Sequence, residues 1–171
     1  MENWIEVGLQ YLGFPSKLYA SPDEGNTPYG FDCSGFVQYV LLEAKISLPC
    51  SPGTDRPIRH TDEFFDHFGV LVHDKAARQG DIVFFSRNGK RPTHIGFYLG
   101  EGRMLHSPGV DGACVSIRSI EGLCRPLRYL ESQIYLYNPV GYKRPAIRLP
   151  GKRYHKILHL DEIDRADKHG F

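Results

Sequence analysis

Apolar residues recur at two different spacings, and the change of spacing divides the chain into a helical part and a strand part. Trp4, Ile5, Leu9 and Leu12 fall at helical intervals before Gly13 and Pro15 stop the pattern, which predicts a short N-terminal helix. Residues 16–30 turn to Ser, Pro, Asp, Gly and Asn, the chemistry of a loop. Asp32, a favoured N-cap, precedes Val37, Val40, Leu41 and Ala44 at i, i+3, i+4 and i+7, so a second helix of about three turns buries one face. Pro49 and Pro52 block its continuation, and a further short helix is expected over 61–68.

After Gln79-Gly80 the apolar residues cluster in short β-branched and aromatic runs, at 81–86, 94–99, 103–106, 113–118 and 133–137. Helices first and strands afterwards, joined by short loops, predict an α+β fold whose N-terminal helices pack on a mainly antiparallel sheet. If Gly100-Glu101-Gly102 is a three-residue turn, Leu99 pairs with Arg103 and Gly96 lies opposite His106. The period of two then places His94, Gly96, Tyr98 and His106 on one face, with a gap at Gly96 where two imidazoles can meet. A two-residue turn would reverse the faces by slipping the register.

Composition narrows the function classes. The 171 residues suit one domain, and 21 basic against 20 acidic side chains leave a net charge of +1, too little to recruit nucleic acid through an overall field. No apolar run is long enough for a membrane span. The start, Met1-Glu2-Asn3-Trp4-Ile5-Glu6, has neither the basic nor the apolar region of a secretory leader, which predicts a cytoplasmic protein, or an extracytoplasmic one whose leader has been removed. From 141 to 171 the balance shifts to +4, which reads as a solvated extension following a domain at 1–140. Four cysteines, none in a Cys-x-x-Cys pair, do not form a dense disulfide framework.

Cys33 stands apart from the other three. It follows the N-cap candidate, where free backbone N–H groups and the positive end of the helix dipole favour an anion, so a lowered thiol pKa is expected. Asp32, Ser34 and Gly35 around it are an uneconomical choice for a helix that only needs to pack. With one of His94 and His106 as base and the other orienting it, Cys33 has the partners of a nucleophile. A metal reading of the same residues fails for want of an i, i+4 ligand pair and a fourth ligand, so neither metal nor cofactor is expected.

Phe31-Asp32-Cys33-Ser34-Gly35-Phe36-Val37, Gly80-Asp81-Ile82-Val83-Phe84-Phe85, Thr93-His94-Ile95-Gly96-Phe97-Tyr98-Leu99-Gly100 and Leu105-His106-Ser107 resemble, in order and spacing, the signatures of NlpC-type papain-like cysteine peptidases. The resemblance covers about residues 4–120. It implies a papain-like fold, Cys33 as nucleophile, His94 as base, His106 as third polar residue, and no cofactor. It also implies that Tyr19, Asp32 and Ser34 hold the free amino end of a peptidoglycan stem peptide, cut most often between γ-D-glutamate and a diamino acid. The chain departs from the family around Tyr19, where Ala20 and Ser21 replace an aromatic residue and a glycine pair, and Tyr29 is the alternative. Two rivals stand beside this reading: a papain-like amidase or acyltransferase acting on another amide or lipid, and a catalytically silent binding module.

Overall fold

The computed structural model describes residues 3–18, 24–86, 91–120, 127–129, 132–134 and 141–146. The first helix, α1 (Trp4–Leu9), is capped by the Asn3 side chain, which accepts from the Ile5 amide, and buries Trp4, Ile5 and Val7. The helix ends three residues earlier than the apolar spacing predicts, and the chain turns down to Gly13 in bonds such as Leu12 N–H to Leu9 O. A small ribbon of β1 (Asn26–Thr27) and β2 (Gly30–Phe31) leads into α2 (Cys33–Glu43).

Asp32 caps α2 as expected, its Oδ1 accepting from the Gly35 amide at 2.7 Å. Phe36, Val37, Val40 and Leu41 are fully buried on the inner face. Lys45 at positive φ ends the helix before the prolines are reached, with Ile46 N–H bonded back to Leu41 O. The third helix, α3 (Thr61–His67), falls where a short helix is expected.

Among the described residues six strands form one antiparallel sheet in the order β3-β10-β4-β5-β6-β7, from β3 (Val70–Val72), β4 (Ile82–Phe85), β5 (His94–Gly100), β6 (Arg103–His106), β7 (Ser116–Ser119) and β10 (Gly141–Arg144). A separate hairpin pairs β8 (Leu127–Tyr129) with β9 (Ser132–Ile134), and residues 135–137 of the run expected at 133–137 lie outside the described residues. Ile82, Phe84, Ile95, Phe97 and Leu105 pack against α1 and α2, and Val83, Phe85 and Met104 pack on the opposite face with Ile120. The result is the predicted α+β arrangement. Among the described residues no helix is long and apolar enough to cross a membrane.

The β5–β6 hairpin keeps the expected pairing by an unexpected route. Its turn contains two residues, Glu101 and Gly102, both at positive φ, and Gly100 pairs with Arg103. An irregularity between Tyr98 and Gly100 takes up the slip, so Phe97 pairs with Leu105 and Gly96 falls opposite His106. Gly96 has to be glycine, because a Cβ there would sit 2.9 Å from the Leu105 carbonyl oxygen and 3.0 Å from the His106 Cβ.

Residues 141–144, read as the start of an extension, lie inside the sheet between β3 and β4. The reason is a buried ion pair: Arg144 Nε donates to Asp81 Oδ1 at 2.8 Å and Nη2 to Oδ2 at 3.0 Å, with Asp81 fully buried. The positive balance at the start of this segment thus includes a core cation, not a solvated one. Residues 147–171 lie outside the described residues.

Removing one member of a buried pair leaves the other charge uncompensated, at a cost of about 3–5 kcal/mol. Arg144→Met is therefore expected to lower the unfolding free energy by about that amount in urea titration. A loss below about 0.5 kcal/mol, typical of surface changes, would show that β10 is peripheral.

Candidate active site

The site forms where the start of α2 meets the start of β5. Cys33 is the first residue of α2 and is partly buried. Its sulfur lies 3.8 Å from the Thr61 hydroxyl and is approached by the backbone amides of Ser34 and Ile95. The contact with Ile95 brings the thiol to the residue next to His94.

His94 opens β5 and is buried, as is His106 at the end of β6. Their rings stand edge to face at 4.9 Å between centroids, with His94 Nε2 and His106 Nδ1 2.7 Å apart. Burial, the neighbouring His94 and the charge of Arg118 hold the His106 pKa well below the ordinary imidazole value, so His106 is neutral at physiological pH. A neutral ring can orient a neighbour without competing for its proton. Among the described residues no group of three or more His, Cys, Asp or Glu is arranged to hold a metal ion.

The thiol corrects one expectation. Helix position predicts a lowered pKa for Cys33, but burial pushes it up, and the Asp32 charge adds to the rise. The Thr61 hydroxyl and the amides of Ser34 and Ile95 favour the thiolate without overcoming those two effects. The resting sulfur is therefore a thiol that needs a base.

Asp32 and Ser34 are tied into a buried network that the sequence does not reveal. Arg59 donates through Nη2 to Asp32 Oδ2 at 2.5 Å, and through Nη1 to Asp32 Oδ1 and the Ser34 hydroxyl at 3.0 Å each. Nη2 also reaches the Glu24 carbonyl. Asp32 therefore already has a cationic partner within the protein. Its Oδ1 accepts from the Gly35 amide, the Ser34 hydroxyl and Arg59, whereas Oδ2 has only Arg59 among the described residues.

Gly35 is explained by this network rather than by reactivity. A Cβ there would collide with the Gly25 carbonyl, which already accepts from the Asp32 amide. Glu63 fixes the other side, accepting from the amides of Arg59 and His60 at 2.8 Å each. Burial tends to raise the Glu63 pKa, but these bonds and one from Ser51 leave it below the ordinary carboxylate value.

A serine clamp closes the floor of the site. The Ser107 hydroxyl donates to Phe31 O at 2.6 Å and lies 2.8 Å from the Ser16 hydroxyl, which accepts from the Gly109 amide at 2.8 Å. This holds the segment after β6 against the start of α2. Arg59, Thr61 and Ser16 are the residues missed by sequence reasoning. The one signal for Arg59 was a basic residue just before a helix with Asp62 and Glu63 in its first turn. Tyr19 lies outside the described residues, and the alternative, Tyr29, is 87% exposed on the β1–β2 turn.

Residues 23–132 match the model of the NlpC/P60 family. A γ-D-glutamyl-L-lysine dipeptidyl-peptidase of Bacillus cereus is 31% identical over 109 residues, 63% of this chain and 28% of the relative. A γ-DL-glutamyl hydrolase of Bacillus subtilis is 36% identical over 96 residues, 54% of this chain and 21% of the relative. The chain thus spans about a quarter of the length of these relatives. A crystal structure of an NlpC/P60 family protein from Bacillus cereus superposes with a TM-score of 0.61 at 28% identity, covering 84% of this chain and 39% of that one.

Iodoacetamide alkylation of Cys33, followed by peptide mapping, is expected to accelerate only above the pH at which an ordinary thiol ionises. Asp32→Asn removes a charge that opposes the thiolate while keeping a capping side chain, so it is expected to move that midpoint down. A midpoint below the ordinary thiol value in the unaltered protein contradicts this account.

Proposed function

Because the chain belongs to the NlpC/P60 family, whose peptidases are cysteine hydrolases, we propose that it hydrolyses an amide bond in peptidoglycan stem peptides, the link between γ-D-glutamate and a diamino acid. The observation that carries this reading is the 2.7 Å contact between His94 and His106 beside the Cys33 thiol. The γ-glutamyl substrates in the names of both relatives support the choice of amide.

In this mechanism His94 takes the Cys33 proton at Nδ1 while its Nε2–H donates to His106. The sulfur attacks the carbonyl carbon, and the Cys33 amide, at the open start of α2, helps stabilise the oxyanion. His94 returns the proton to the leaving amine, which departs with formation of a thioester. Water, deprotonated by His94, then releases the acid and restores the thiol. Thiol attack is coupled to proton transfer because the thiolate is disfavoured at rest.

Asp32 and Ser34 are assigned to the amino end of the substrate, with Tyr19 carried over from the family resemblance. A carboxylate offers about four acceptor positions, and Oδ2 keeps room for an ammonium beside Arg59. The substrate of this reading is a small released peptide beginning with a free L-alanine, whose ammonium the Asp32 carboxylate receives.

Incubation with defined stem peptides, followed by mass spectrometry, tests the reaction. Cys33→Ala and His94→Ala are expected to lose turnover, and His106→Asn to retain more kcat than His106→Ala. Acetylating the leading alanine is expected to lower kcat/KM about tenfold, a difference that Asp32→Asn narrows. A full kcat in His106→Ala would remove the orienting role. Faster release from poly-γ-glutamate than from any stem peptide would move the activity to another γ-glutamyl amide. No turnover of any amide, with Cys33 inert to thiol probes, would favour a binding module.

A further inference from the structure

The tautomer that catalysis requires creates a problem one residue further out. For His94 Nδ1 to accept the thiol proton, its Nε2 must carry hydrogen and donate to His106 Nδ1. Neutral His106 then carries its own hydrogen on Nε2. That nitrogen is buried and has no hydrogen-bond partner among the described residues. A buried donor left in this state costs about 1–3 kcal/mol and favours the other tautomer, which disables the base.

The Ser116 hydroxyl is buried and equally without a partner among the described residues. Ser116 is the cross-strand partner of His106 in the β6–β7 ladder, so the two side chains stand side by side on one face. Two unsatisfied polar atoms on directly paired residues do not arise from packing needs, because an alanine at 116 would pack without burying a hydroxyl. The two atoms make no direct bond, and a single water that accepts from one and donates to the other satisfies both.

We propose that Ser116 is a positioning residue, joined to His106 Nε2 by one bound water that accepts from the imidazole and donates to the serine hydroxyl. The relay then runs from Cys33 through His94 and His106 to Ser116. Arg118, two residues along β7 on the same face, helps keep the His106 ring neutral, which leaves the choice of tautomer to Ser116. Ser116 touches no reacting atom; it selects which nitrogen of His106 carries the hydrogen. The choice of tautomer rests on the hydrolase reading above, in which His94 is the base, whereas the coupling of His106 to Ser116 stands on the structure alone.

Nitrogen-15 spectra of the His106 ring in the full chain provide a test independent of turnover. The unaltered protein is expected to show hydrogen on Nε2 and none on Nδ1. Ser116→Ala is expected to shift the ring signals toward a mixture of tautomers and to lower kcat by about threefold to tenfold with KM unchanged. Ser116→Thr, which keeps the hydroxyl, is expected to restore both. If Ser116→Ala does not fold, Ser116→Cys supplies a weak acceptor of similar size and is expected to show the same intermediate signals. Hydrogen on Nδ1 in the unaltered protein, or a His106 spectrum identical in Ser116→Ala, overturns the proposal whatever the turnover. If no substrate is cleaved while the ring signals still respond to position 116, the hydrolase reading fails and the positioning role stands.

Discussion

The Asp32 carboxylate is the point on which the site depends. It closes the first turn of α2 and binds the guanidinium of a residue 27 positions later. Through that one ion pair the start of α2 is fixed to the entrance of α3, which brings Thr61 beside the Cys33 sulfur. The arrangement has an electrostatic cost, because the same carboxylate opposes ionisation of the adjacent thiol. Arg59 pairs with the carboxylate and holds it in place. The protein thus holds the Cys33 thiol in its protonated form, and in the proposed mechanism it is His94 that activates it.

Local chemistry was legible in the sequence wherever one element determined the outcome. The cap at Asp32, the buried face of α2 and the strand alternation that puts His94 and His106 on one face all depend on neighbours close in sequence. The hairpin shows how narrow that success was, since the turn has two residues and only the irregularity near Leu99 keeps Gly96 opposite His106. Features set by distant partners were not legible. Arg59 and Arg144 look like surface cations until their carboxylates, Asp32 and Asp81, are brought to them by the fold. The thiol pKa failed for a related reason: helix position is visible in a sequence, but the burial that outweighs it is not.

The two buried ion pairs divide the work. Asp32 with Arg59 positions the chemistry, and Asp81 with Arg144 joins the sheet that supports it. Neither is a stability device in itself, because an apolar pair of equal volume often serves as well. Their value here is direction: each carboxylate accepts from two nitrogens of one guanidinium, which fixes angle as well as distance. Such contacts suit a site in which a ring nitrogen must lie within hydrogen-bond reach of its neighbour.

The place of β10 between β3 and β4 also sets an order of events during synthesis. Both neighbours leave the ribosome about sixty residues or more before the strand that joins them. Until residue 144 emerges, β3 and one side of β4 present unpaired N–H and C=O groups, and Asp81 has no guanidinium. A sheet closed by its last strand depends on contacts distant in sequence, which slows its formation. The nascent chain therefore passes through a stage in which Cys33, His94 and His106 have all been made but the sheet beneath them is open, and self-association through those edges competes with folding.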